Sequence, residues 1–137
     1  MARKCPSCDK PGTFRAWEGR IERYGVEIAA RGKRCRACGE TLFDLAEMKR
    51  QERAIAKELA ARGVRTSSEF KLVRKVAGLR AVDVAAMLDV TPETVSRWER
   101  GTVEIPRAAA YVLGDLLDHP KLARERLDAF TRQVDGG

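Results

Sequence analysis

Histidine is nearly absent from this sequence, and so is any long apolar run. The one histidine in 137 residues is His119, beside a proline at a predicted helix junction, where it is most simply a capping residue. Metal-assisted hydrolysis and a histidine-based triad are therefore disfavoured, and we expect no enzymatic activity. No stretch approaches the roughly 18 apolar residues of a membrane-spanning helix. The sequence thus predicts a soluble, cytoplasmic protein with no membrane partner.

Cysteine is absent from the last two thirds of the chain. The first third contains two C-x-x-C pairs, Cys5/Cys8 and Cys35/Cys38. Each pair places two thiolates within reach of one ion, and four thiolates match the tetrahedral preference of Zn(II). They also fill the coordination shell and leave no position for a catalytic water. The pattern predicts one structural zinc ion per chain.

Disulfides and a redox motif are the alternatives to zinc. Disulfides need an oxidising compartment, yet the opening Met-Ala-Arg-Lys is not followed by the apolar segment of a secretion signal. A thioredoxin-like motif needs only one pair, where a strand runs into a helix. Knuckle turns also favour zinc, because Gly39 follows the second pair and supplies unusual backbone dihedrals. Asp9 occupies the same place after the first pair.

The region around the cysteines, residues 1–43, is too short to fold on apolar burial alone, so metal binding would supply its folding free energy. Apolar residues at 14 and 16, and at 26, 28 and 30, alternate with polar ones, as in strands. We expect a sheet of two or three short strands here. Its turns are predicted near Gly19-Arg20 and Gly32-Lys33.

Helical patterns dominate the remainder of the chain. Residues 44–62 are rich in helix formers, carry a spaced apolar stripe that includes Leu45, Met48, Ile55 and Leu59, and end before Gly63. We interpret residues 44–67 as a linker helix and joint. Five further helical segments are predicted within 68–137. The predicted fold class is α+β, a small zinc-knuckle β module followed by an all-α, five-helix domain.

Residues 79–101 have the pattern of a helix-turn-helix. One short helix ends near Asp89, and the next begins with Thr91 as N-cap and Pro92 at its first position. On a helical wheel, Val95 and Trp98 share one side and the arginines take the other. A short helix with an apolar back and an arginine-bearing front, after a tight turn, is typical of a DNA recognition helix.

The charge balance favours a polyanionic partner. There are 27 Lys+Arg against 20 Asp+Glu, a net charge of +7. Arg97 can donate two hydrogen bonds to guanine, while Glu93 can accept one from cytosine or orient Arg97 one turn away. Arg80 and Arg100 are candidates for phosphate contacts. Each of these side chains is also compatible with a merely solvated helix face.

The run GLRAVDVAAMLDVTPETVSRWERG, residues 78–101, resembles the Cro/repressor (XRE) family of helix-turn-helix domains. Ala85 matches the small residue at which the two helices approach, and the run from Val95 to Gly101 matches the end of the recognition helix. Ala81 and Asp89 replace the family's usual Gln and turn Gly. The resemblance implies an ion pair between Arg74 and Glu99, with Trp98 in the core. The predicted DNA-binding residues are Thr91, Glu93, Thr94, Ser96 and Arg97, with Arg80 and Arg100.

The order of the two parts is more specific than either. A Cys-Pro-x-Cys pair, a second pair near residue 35, a helical joint, the XRE region and Leu-Leu-Asp-His-Pro-Lys-Leu together resemble the MqsA-type (YgiT zinc finger) antitoxins of bacteria. The resemblance implies that the zinc module masks a small toxin, commonly an mRNA-cleaving ribonuclease. The C-terminal domain would form a homodimer and repress its own operon at a palindromic operator.

The alternative is a stand-alone zinc-containing XRE-family transcription regulator without a toxin partner. In both cases, apolar residues on the last two predicted helices, beyond the needs of one core, favour a dimer interface. The protein would be cytoplasmic, and associated with the nucleoid while on its operator.

Overall fold

The computed structural model describes residues 4–135, with side chains described as far as Phe130. The chain divides into two compact units, Met1–Ala54 and Ile55–Gly137. The elements in chain order are β1 (Phe14–Arg23), β2 (Val26–Cys35), β3 (Thr41–Leu42), α1 (Leu45–Arg62), α2 (Ser67–Val76), α3 (Ala81–Leu88), α4 (Pro92–Arg100), α5 (Arg107–Asp118) and α6 (Pro120–Asp135). The predicted α+β class, a small sheet before a helical region, is confirmed. The predicted boundaries after residues 43 and 67 flank α1, within which the two units divide.

The three strands form one antiparallel sheet in the order β1-β2-β3. The register of β1 and β2 places Phe14 opposite Cys35 and Arg23 opposite Val26, so the hairpin turns at Tyr24 and Gly25. Both turn residues have positive φ, 54° and 71°, as in the type I′ turn that matches the twist of a hairpin. The predicted alternation in β2 is confirmed, because its even-numbered residues from Val26 to Ala30 are buried.

The turns expected near Gly19-Arg20 and Gly32-Lys33 are wrong, because both glycines lie inside strands. They make room for neighbouring groups instead. A Cβ at Gly19 would clash with the indole of Trp17, and one at Gly32 would clash with the Leu42 carbonyl and the ring of Phe43. Glycine within a strand commonly marks such a close approach.

Helix α1 begins and ends as the sequence predicts. The Asp44 carboxylate accepts the Glu47 N–H at 2.8 Å, and Gly63 follows the last turn with φ 93°. The apolar stripe differs from the expectation in its first half. Ile55 and Leu59 are fully buried, whereas Leu45 and Met48 are largely exposed.

The starts of α2 and α4 and the ends of α3 and α4 are fixed by capping residues that can be recognised in the sequence. Thr66 caps α2 in a reciprocal capping box with Glu69, and Thr91 caps α4, with Pro92 at the first position. Between α3 and α4, Asp89 adopts the left-handed conformation with φ 55°, the conformation that the family's usual glycine would supply. Gly101 ends α4 with φ 76°.

The core of the second unit lies among these helices. Phe70 of α2 and Trp98 of α4 are buried and meet edge to face, with ring centroids 5.8 Å apart. Ala85 of α3 is also buried, in keeping with a small residue where α3 and α4 approach. His119 caps α5 through its backbone N–H, as expected, and its carbonyl accepts the Ala123 N–H in α6. Among the helices of residues 4–135, none has both the length and the hydrophobicity of a membrane span.

A buried ion pair fixes the end of α4. Arg74 of α2 donates two hydrogen bonds to the Glu99 carboxylate, both at 2.8 Å, and a third to the Leu79 carbonyl at 2.9 Å. The two side chains are only 11% and 10% exposed. One guanidinium therefore connects the end of α2, the residue pair before α3 and the last turn of α4 through charge-assisted hydrogen bonds.

The substitution Glu99→Gln should destabilise the second unit by about 3 kcal/mol, because it leaves the buried Arg74 charge without its counter-charge. Thermal unfolding followed by helical circular dichroism should show a midpoint lower by roughly 10 °C or more. Glu104→Gln is the matched control, since Glu104 is exposed and has no ion pair within residues 4–135. Equal midpoints for the two variants would show that the Arg74–Glu99 pair does not hold the helices.

Candidate metal centre and nucleic-acid interface

The four cysteines converge at one point of the first unit. Their Sγ atoms all lie within 4.8 Å of one another. The Sγ atoms of Cys5 and Cys38 are 3.7 Å apart, as are those of Cys8 and Cys35. A tetrahedral ion with Zn–S distances of about 2.3 Å requires S–S edges of about 3.8 Å, whereas a disulfide requires about 2.05 Å. The free thiols are therefore spaced to bind one metal ion, not to form disulfides.

The two C-x-x-C segments adopt the same turn. In each, the carbonyl of the first cysteine accepts the N–H four residues on, from Asp9 to Cys5 at 2.7 Å and from Gly39 to Cys35 at 2.8 Å. The N–H of each first cysteine donates to the carbonyl five residues on, at 3.1 and 2.8 Å. Asp9 and Gly39 both have positive φ, 62° and 78°. Asp9 thus takes the conformation that glycine takes in the second turn.

Thr13 is a residue of this site that sequence reasoning missed. Its hydroxyl lies 2.9 Å from the Cys35 sulfur, and its carbonyl accepts the Arg36 N–H at 2.9 Å. The hydroxyl contact, ahead of backbone hydrogen bonds, lowers the pKa of Cys35 to about 6. A low pKa favours the thiolate of Cys35, the form that binds metal, whereas burial raises the pKa of Cys38 to about 12. No local signal reveals Thr13, because only the β1–β2 register brings it to Cys35.

The second candidate site is the exposed side of α4. Val95 and Trp98 are buried, while Glu93, Arg97 and Arg100 are exposed, so the two sides divide as the helical wheel predicts. Of the remaining residues in the predicted DNA-binding set, Thr91 is exposed and both Thr94 and Ser96 are half-buried. Five of the seven predicted residues lie on α4: Glu93, Thr94, Ser96, Arg97 and Arg100. Thr91 caps this helix, and Arg80 lies elsewhere in the domain.

Glu93 and Arg97 form an ion pair one helical turn apart, with 3.0 Å between Arg97 Nη2 and Glu93 Oε1. The side chains are 51% and 68% exposed, so the pair contributes only about 0.3–0.5 kcal/mol to stability. The hydroxyl oxygens of Thr91 and Thr94, 2.8 Å apart, make a second side-chain contact at the start of α4.

Arg80 lies outside α4, at the N-cap of α3. Its backbone N–H and its guanidinium both donate to the Asp83 carboxylate, at 2.8 and 3.1 Å. Hydrogen bonding from Arg80 lowers the pKa of Asp83. Sequence reasoning missed this partner, although the three-residue spacing at a helix start could have indicated it. Any phosphate contact by Arg80 has to share its guanidinium with Asp83.

Substituting Cys35→Ser should abolish stoichiometric metal binding, because three thiolates and a hydroxyl no longer provide four soft ligands. Elemental analysis of the full chain should find about one zinc per wild-type chain and far less in the variant. Ser7→Ala changes an exposed residue between two ligands and should retain the metal. Full zinc in Cys35→Ser would contradict a four-sulfur centre.

Comparison with known protein families supports the assignment of the second site. A helix-turn-helix family model (HTH_3) matches residues 70–117. The match runs from within α2 into α5 and includes all of α3 and α4. No curated protein matches the chain. Residues 70–117 are therefore an XRE-type helix-turn-helix domain, which supports a DNA-binding regulator whose chain also carries a four-cysteine cluster able to hold a metal ion.

Proposed function

We propose that the protein is the antitoxin of a type II toxin–antitoxin pair. It neutralises a small ribonuclease toxin through its N-terminal zinc module and represses its own operon through its helix-turn-helix domain. The observation that carries the proposal is the presence in one chain of a metal-spaced four-sulfur cluster followed by a helix-turn-helix domain. The resemblance to MqsA-type antitoxins rests on the same two parts in the same order.

Operator recognition would use the exposed side of α4 in the major groove. Arg97 donates to the O6 and N7 atoms of a guanine, the commonest specific contact. Glu93, which already holds Arg97, either maintains that orientation or accepts from a cytosine amino group. Arg100 and the exposed lysines of α2, Lys71 and Lys75, neutralise phosphates and fix the register on the duplex.

Zinc is the ion that best fits the cysteine cluster. The four Cys Sγ atoms provide a closed, all-sulfur shell, so the ion would support structure without taking part in any reaction. Structural zinc in small modules supplies on the order of 10 kcal/mol of folding free energy. Strands β1 and β2 carry only three buried apolar residues besides Cys35, so the first unit depends on such a contribution.

A homodimer is the form that reads a palindrome. Two recognition helices must lie about 34 Å apart to enter successive major grooves. The second unit exposes several large apolar side chains that one chain leaves uncovered, among them Tyr111, Leu122 and Phe130. We assign the dimer interface to the C-terminal helices on this basis. The dimer would act in the bacterial cytoplasm, at the nucleoid when on its operator.

Replacing Arg97 with alanine should remove sequence discrimination, because the bidentate contact with guanine is lost. Specific affinity should fall about tenfold or more while binding to unrelated DNA changes little. Arg100→Ala is the matched comparison: it should weaken binding to all sequences alike. Binding titrations with operator and scrambled duplexes measure both effects. A sequence-specific footprint retained by Arg97→Ala would place recognition elsewhere.

The toxin partner can be tested by co-purifying the tagged chain with the product of the small gene that adjoins its own. A stable complex with about one zinc per antitoxin chain is expected, and it should dissociate in the Cys35→Ser variant. Ser7→Ala should retain the partner. A zinc-loaded chain that captures no such product, yet protects its own promoter from nuclease, would instead be a stand-alone regulator.

A further inference from the structure

The first unit contains a groove of about 1120 Å³ that is lined by both apolar and charged residues. Phe14 comes from the start of β1, Leu42 from β3, and Phe43 and Leu45 from the segment that leads into α1. Leu45 is 67% exposed. The exposed Leu45 side chain and the half-buried rings of Phe14 and Phe43 therefore form a small apolar patch in the groove wall.

Positive charge surrounds this apolar lining. Arg31, Lys33 and Arg50 all border the groove. Lys33 is exposed and has no ion pair within residues 4–135. Within residues 4–135, the Arg31 guanidinium forms an ion pair only with the exposed Glu18, at 3.7 Å. An ion pair at this distance and exposure contributes little to stability.

Two acidic residues, Asp44 and Glu47, also border the groove and offset part of its positive charge. The Asp44 side chain is exposed, and one of its carboxylate oxygens accepts the Glu47 N–H. Glu47 accepts from Arg50 at 2.7 and 2.8 Å, from the buried Gln51 at 2.8 Å and from the Arg31 N–H at 3.1 Å. Hydrogen bonding to Arg50 is the main reason that the pKa of Glu47 lies near 2. Glu47 and Arg50 therefore neutralise each other, which leaves Arg31 and Lys33 as the other cationic side chains at the groove.

Building on the proposed function, we propose that this groove is the docking site for the toxin, and that it receives a segment with an apolar anchor residue flanked by acidic side chains. The apolar lining provides the contact for the anchor, and Arg31 and Lys33 provide complementary charge at the rim. The exposed rim residues leave the groove open to solvent, which suits a protein segment better than an enclosed small molecule.

Two substitutions test the groove without disturbing the fold. Leu45→Asp removes apolar contact, and an aspartate suits the first turn of a helix. Lys33→Glu reverses a charge on an exposed side chain. The matched controls are Met48→Asp and Lys49→Glu, which change exposed residues of the same unit outside the groove. Zinc content reports whether each variant keeps its metal centre.

Calorimetric titration of each full-length variant with the product of the adjoining small gene gives the dissociation constants. Each groove variant should weaken binding about tenfold or more, with zinc retained, and the controls should bind as wild type does. Groove variants that bind as tightly as wild type would overturn the docking site while leaving the antitoxin function intact. Failure of the wild-type chain to bind would overturn the proposed function, and the docking site with it.

Discussion

The buried guanidinium of Arg74 is the interaction on which the helical unit depends. Its three hydrogen bonds reach the Glu99 carboxylate and the Leu79 carbonyl. Because Glu99 lies in the last turn of α4, the pair fixes that helix against α2. A charge that is buried with its partner is costly to separate. The ion pair thus holds α4 in one orientation, and that orientation presents Arg97 and Glu93 to solvent.

The first unit is organised by a different constraint, the spacing of four sulfur atoms. Two turns with the same hydrogen bonds place two cysteines each, and the ten-residue pairing of β1 with β2 brings the turns together. The hydroxyl of Thr13 adds a hydrogen bond that favours the thiolate of Cys35. Its two long strands bury only a few apolar residues, and some of the aromatic and aliphatic side chains of the unit line a groove.

The features that sequence reasoning predicted are those encoded within a few residues. Thr91 and Pro92 start α4, Gly101 ends it, and the C-x-x-C spacing indicates a metal site. Each of these signals can be read from the sequence because it determines the conformation of the neighbouring backbone. Gly19 and Gly32 misled the prediction, because a glycine that permits a turn is indistinguishable in sequence from one that makes room for a side chain. The structure reveals the difference, because Gly19 makes room for the indole of Trp17, and Gly32 for the Leu42 carbonyl and the ring of Phe43.

The groove and Thr13 escaped prediction for a related reason. Both are assembled by the register of the hairpin and by the short pairing of β3 with β2, which bring together residues distant in sequence. Leu45 belonged to the predicted apolar stripe of α1, and nothing local shows that its position is exposed while Ile55 is buried. Tertiary packing decides which apolar residues of a helix are buried, so the structure was needed to show that the first half of the stripe is exposed.

Nuclease footprinting of the full-length chain on the DNA upstream of its own gene tests the central claim most directly. Binding through α4 of a dimer predicts two protected half-sites about ten base pairs apart, related by a two-fold axis. Protection should weaken steeply between roughly 50 and 200 mM salt, because phosphate contacts release counterions. Uniform protection with no preferred sequence, or none at all, would contradict sequence-specific recognition by this helix-turn-helix domain.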